Sequence, residues 1–111
     1  MDRTHELEQA VREVFQEKFA AIKSNDRFRI QLVIDEEKKR FLLMNEGWYG
    51  YRRVYGPIID VSLRNNKIWI HEDRTEEGIP DELLAKGVEM HEIVLGWQPE
   101  YKREFTGFAV S

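Results

Sequence analysis

Along the first two dozen positions, apolar residues recur three or four apart at Leu7, Val11, Val14, Phe15 and Ile22. That spacing predicts an amphipathic helix over 4–23. Thr4 is placed to cap it, and Glu6 and Glu8 set negative charge near the positive end of its dipole. The turn formers Ser24, Asn25 and Asp26 end it. Beyond them the period falls to two. Phe28, Ile30, Leu32 and Ile34 alternate with Arg29, Gln31 and Val33, the pattern of a strand with one buried face. Glu36-Glu37-Lys38-Lys39 reads as a charged hairpin tip, and Phe41 to Met44 as the returning strand. Setting Asp35 opposite Arg40 brings Ile34 to Phe41 and Leu32 to Leu43 on one face.

A second hairpin turns at Asn65-Asn66, because asparagine tolerates the left-handed backbone of a two-residue turn. Pairing outward sets Arg64 against Lys67, Leu63 against Ile68, Val61 against Ile70 and Asp60 against His71. Val61, Leu63, Ile68 and Ile70 then form a core face, with Asp60, Ser62, Trp69 and His71 on the other. Pro80, Asp81 and Glu82 open a short helix closed by Lys86-Gly87. Residues 93–97 suit a strand stopped by Pro99, and 105–110 are apolar enough to be bound. The expected fold is α+β, a single domain over 1–111. An N-terminal helix packs on a mainly antiparallel sheet of two hairpins, followed by a short second helix and a C-terminal strand or extended tail.

Composition narrows the function. A chain of 111 residues, 41% hydrophobic and 12% aromatic, holds one core. Zero cysteines remove disulfides and thiolate chemistry, and no apolar run is long enough to span a bilayer, so a cytoplasmic protein is expected. A net charge of -4 opposes strong direct binding of nucleic acid.

Candidate chemistry is sparse. Glu72, Asp73, Glu76, Glu77, Asp81 and Glu82 cluster, but their spacing matches no calcium loop, and no metal or cofactor is expected. Asp60, His71 and Ser62 share a strand face and would allow a small hydrolase, yet no nucleophile elbow accompanies them. A cross-strand Asp60–His71 ion pair is the simpler reading. Gly47, Gly50 and Gly56 do not lie between a strand and a long helix, as a phosphate loop requires. There remain Trp48, Tyr49, Tyr51, Arg52, Arg53 and Tyr55, with Trp69 on the face away from the core. Such a set can stack on a nucleic-acid strand, form a protein interface, or be a structural edge with arginines paired to Glu72 or Asp73. Acidic charge disfavours the first. Trp69 needs cover from the tail, another subunit or a partner.

Several blocks together resemble the XisI family, the fdxN element excision controlling factors of cyanobacteria. They are Gly47-Trp48 through Arg52-Arg53-Val54-Tyr55-Gly56, Lys67-Ile68-Trp69-Ile70, and Asp73-Arg74-Thr75-Glu76-Glu77-Gly78-Ile79. Asp81-Glu82-Leu83-Leu84, Ile93-Val94-Leu95 and Lys102-Arg103-Glu104-Phe105-Thr106-Gly107-Phe108-Ala109-Val110 continue them in order. Arg74 departs from the glycine usual in the family. The resemblance implies a non-catalytic accessory protein that controls excision of a DNA element together with a XisH-type partner. A second reading makes the chain an antidote that restrains a nuclease-like XisH protein. Both need a protein interface, and a homo-oligomer is expected with either.

Overall fold

The structure, a computed structural model, describes residues 3–22 and 24–111. Helix α1 spans Thr4–Ala21 and buries Leu7, Ala10, Val11, Val14 and Phe15. Lys23, the last residue of the expected helix, lies outside the described residues. Thr4 is not the cap. It is the first helical residue, Arg3 flanks it, and the Thr4 hydroxyl donates to Asn66 Oδ1 at 2.6 Å. The helix entry is fixed by a contact made far along the chain. Arg3 Nε and Nη2 donate to the two Glu92 carboxylate oxygens at 2.7 and 2.9 Å, and Arg3 Nη2 donates to Gly87 C=O.

Under α1 lies a five-stranded sheet of β1 (Phe28–Asp35), β2 (Arg40–Tyr49), β3 (Arg52–Arg64), β4 (Lys67–Asp73) and β5 (Ile93–Leu95). The strands lie in chain order. All neighbours are antiparallel except β4 and β5, which run parallel. The β1–β2 register is the expected one, with Asp35 facing Arg40, Ile34 facing Phe41 and Leu32 facing Leu43. The Asn65-Asn66 turn also stands where expected, both residues left-handed with φ of 54° and 60°. Phe41, Leu43, Ile59, Val61, Ile68 and Ile70 meet the helix stripe, joined by Ile79 and Leu83 of α2 (Ile79–Ala85) and by Ile93. Phe15 and Phe41 anchor this core with ring centroids 5.7 Å apart.

One pairing differs. A bulge between Asp60 and Val61 sets Asp60 against Glu72 rather than His71, and leaves His71 as the extra residue of β4. The bulge lets Ile70 and Asp73 both keep their places on the helix side while His71 and Glu72 turn outward together.

The C-terminal segment is held at Phe108, which packs against the core, and at Ala109, while Phe105 stays exposed. Residues Glu100–Arg103 form a short helix, α3, and Ala109 bridges Val94 of β5 with its N–H on Ile93 C=O at 2.8 Å. Among the described residues no helix is long and apolar enough to cross a membrane.

Strand length sets the outline of the molecule. An 18-residue helix covers about 27 Å, whereas a 13-residue strand reaches about 40 Å. The far ends of β2 and β3 therefore outrun the helix. They form a hairpin arm, in keeping with overall extents of 47 × 29 × 25 Å.

Candidate functional site

The arm carries the aromatic and arginine residues singled out in the sequence. Tyr49 and Arg52 are the last paired residues, and Gly50-Tyr51 make the turn, with Gly50 at φ 63°. Glycine at the first position of a two-residue turn suits a tight hairpin, a signal that the sequence analysis did not use. Trp48 pairs with Arg53 and Glu46 with Tyr55, so all four share the face away from α1. The Arg53 guanidinium sits between two rings, 5.4 Å from the Trp48 centroid and 5.3 Å from Tyr55. Its Nη2 also donates to Glu46 Oε2 at 3.3 Å. Arg53 thus pairs with Glu46, and neither Glu72 nor Asp73 reaches the arm. Glu72 takes Arg74 instead.

These rings are open to solvent: Trp48 is 52% exposed, Tyr49 and Tyr55 more so, and Tyr51 fully. The other face of the arm borders a cavity of about 450 Å³, whose lining includes Asn45, Arg52, Ile58 and Arg74. The Asn45 Oδ1 is buried without a hydrogen-bond partner, and Arg52 has no ion pair among the described residues. The site therefore offers aromatic surface on one side and unspent cationic and polar groups on the other.

Trp69 does not belong to this surface. It is 8% exposed, with Arg64 stacked at 3.9 Å from its ring centroid and Arg103 at 5.3 Å. Arg103 is held in turn by the carbonyls of Gln98 and Val110. The cover Trp69 requires comes from the chain's own tail. This removes the reason for placing it in an interface, since a ring enclosed by its own chain has little area to offer a partner.

The outer face of β3 and β4 brings Ser62 and His71 together, Oγ to Nε2 at 2.8 Å. Asp60 is not the third member. Its carboxylate accepts from Arg40 Nε and Nη2 at 3.2 and 2.7 Å. The other ring nitrogen, Nδ1, faces Gly96 closely enough that a Cβ there would stand 3.2 Å away. A Ser–His pair with no group to orient the imidazole lacks the arrangement that activates a nucleophile. Nor do the acids of the 72–82 region converge: among the described residues no three His, Asp or Glu side chains are placed to hold a metal. Asp73 is spent on the backbone. Its Oδ1 accepts from Thr75 N–H and its Oδ2 from Ile79 N–H at the start of α2.

Burial lowers the His71 pKa below its ordinary 6.5; Asp60 opposes the shift, and Arg40 and Arg64 reinforce it. The unfolded chain then binds a proton that the folded chain resists. The contribution is intact above pH 6.5 and is lost as pH falls through the folded value. The His71 ring resonances should titrate with a midpoint below 6.5 by NMR, and a midpoint at or above it would refute the assignment.

A helix-on-sheet α+β protein with a projecting aromatic arm is thus the class that fold and site define. The XisI protein family matches residues 1–110, and the chain belongs to that family. It is similar to the crystal structure of a XisI-like protein from Anabaena variabilis ATCC 29413. The TM-score is 0.91 at 30% identity, over 97% of this chain and 99% of that one. It is also similar to the fdxN element excision controlling factor XisI of the same organism, with a TM-score of 0.86 at 32% identity over 99% of this chain and 100% of the other. None of the curated proteins compared is significantly similar in sequence.

Proposed function

We propose that this protein is a non-catalytic accessory factor that acts by holding a protein partner on its β2–β3 arm. The solved relative described as controlling excision of the fdxN element gives the process. The partner is a XisH-type protein, which carries the DNA chemistry with a separate recombinase. The observation that carries this reading is the arm itself. Trp48, Tyr51 and Tyr55 are exposed on a hairpin that no helix covers, with Arg53 already stacked between two of the rings. Tryptophan, tyrosine and arginine are the residues that concentrate binding energy in protein interfaces. Preordered rings lose little conformational freedom on docking.

The test is calorimetric titration of the XisH-type protein with wild type, Trp48→Ala and Arg53→Ala. Each substitution should weaken binding by about 2 kcal/mol, some thirtyfold, with an unchanged circular dichroism spectrum. Gel shifts across salt concentration should give only non-specific DNA binding, with dissociation constants on the order of micromolar or weaker. Wild type that ignores the partner would sink the proposal. So would tight, sequence-selective DNA binding lost in an Arg52→Ala, Arg53→Ala variant, which would move the function to DNA recognition.

A further inference from the structure

Strand β1 is the outermost in the sheet order, so one of its hydrogen-bonding edges has no strand beside it. The bonds at its start show which backbone groups face that edge. Arg27 C=O accepts from Trp48 N–H on β2, so the odd-numbered residues turn their polar groups inward. The even-numbered ones turn outward. The first of these are occupied: Phe28 exchanges both bonds with Asn25, and Ile30 N–H donates to Ser24 Oγ at 2.9 Å. Among the described residues, nothing takes the N–H or C=O of Leu32 and Ile34 on that side.

We propose that this edge pairs antiparallel with the same edge of a second copy of the chain, on a two-fold axis through Val33. An antiparallel ladder joins outward-facing residues to outward-facing residues, and the free ones are Leu32 and Ile34. An axis at Val33 sets Leu32 of each copy against Ile34 of the other. Four N–H···O bonds form, and the Ser24 and Asn25 caps stay in place. Side chains agree with this register. Leu32 and Ile34, half-buried on the helix side, extend each other's apolar face across the seam. Val33, 42% exposed, meets its own copy at a pair where side chains approach closely. Gln31 comes opposite Asp35. With its amide oxygen turned to the Arg29 guanidinium, 3.2 Å away, Gln31 keeps its NH₂ group to donate to that carboxylate. Phe19 is also exposed. It lies two helical turns beyond Arg12, on the α1 flank whose Arg12 reaches Glu36 at the β1–β2 turn. Nothing in β1 blocks addition: it has no proline, no bulge and no lysine among its residues.

The pairing is independent of what the arm binds, and its test uses the full chain. Sedimentation velocity should show wild type as a dimer. Val33→Lys places two ammonium groups on the axis and should raise the dissociation constant about tenfold or more. The chain has no cysteine of its own, so Val33→Cys gives a clean second readout. Paired across the axis at about 4.5 Å between Cα atoms, it should oxidise in air to a disulfide-linked dimer. Glu104→Cys, at an exposed position away from the axis, should not. Monomeric wild type across the concentration range overturns the proposal. So does a dimer that folded Val33→Lys leaves intact, or a Val33→Cys chain that fails to cross-link. Circular dichroism checks each fold, and where Val33→Lys does not fold, cross-linking alone decides.

Discussion

Gly47→Ala should destabilise the protein by about 4 kcal/mol and lower its melting temperature by about 15 °C or more. The reason is crowding rather than backbone conformation. A Cβ at position 47 would stand 2.0 Å from Arg27 C=O oxygen and 2.6 Å from Phe28 Cδ1. The first of those is main chain and cannot swing aside. The Trp48 N–H bond to Arg27 C=O would have to break, lifting the start of β1 away from the root of the arm. Overpacking of a site with flexible neighbours costs about 1–3 kcal/mol. Here the neighbour is backbone in a paired strand, so the upper end is exceeded. Thermal melts followed by circular dichroism decide it, and a melting temperature within a few degrees of wild type would refute the argument. On the proposed function, an arm loosened at its root should also bind the XisH-type protein less tightly, even with Trp48 and Arg53 intact.

Asp73→Ala should cost about 3 kcal/mol. Its two oxygens serve three donors: Thr75 N–H at 3.0 Å, Thr75 Oγ1 at 2.5 Å and Ile79 N–H at 2.7 Å. Bonds to a carboxylate are worth about 1.5–3 kcal/mol each, and losing a helix cap alone costs about 0.5–2. The sum is not additive, because the loop can open to water after truncation. Asp73→Asn keeps one acceptor oxygen and should lose less. Urea denaturation of the three proteins is the measurement. Calcium, magnesium and manganese should leave the wild-type melting temperature unchanged, since ligand binding to the folded state would raise it. A rise abolished by Asp73→Ala would show a metal site in the acidic loop.

Much of this architecture was legible in the sequence wherever one side of an element is buried. The α1 stripe and the register of both expected hairpins follow from burial with a period of 3.6 or 2. The arm was not placed, because its residues face water on both sides and no apolar alternation marks them. Trp48, Tyr49, Tyr51 and Tyr55 read as an interface composition without reading as a hairpin. The bulge at His71 escaped for a related reason. His71 and Glu72 are both polar, so a one-residue slip among them leaves no trace in the hydrophobic pattern. Thr4 and Trp69 fail through distance along the chain. Arg3 is held by Glu92, and Trp69 is covered by Arg103, contacts that local spacing cannot announce.

The tail that runs beside β5 has a further consequence. By occupying that margin of the sheet with Ala109, it would leave a chain that pairs through β1, as proposed, a single reactive end, in the sense of polymer chemistry. A monofunctional unit can couple once and then stops. Without residues 105–111 both margins would be open, and the same chain would become a bifunctional monomer capable of endless growth. On the proposed pairing, the few residues that latch over β5 would set the degree of polymerisation.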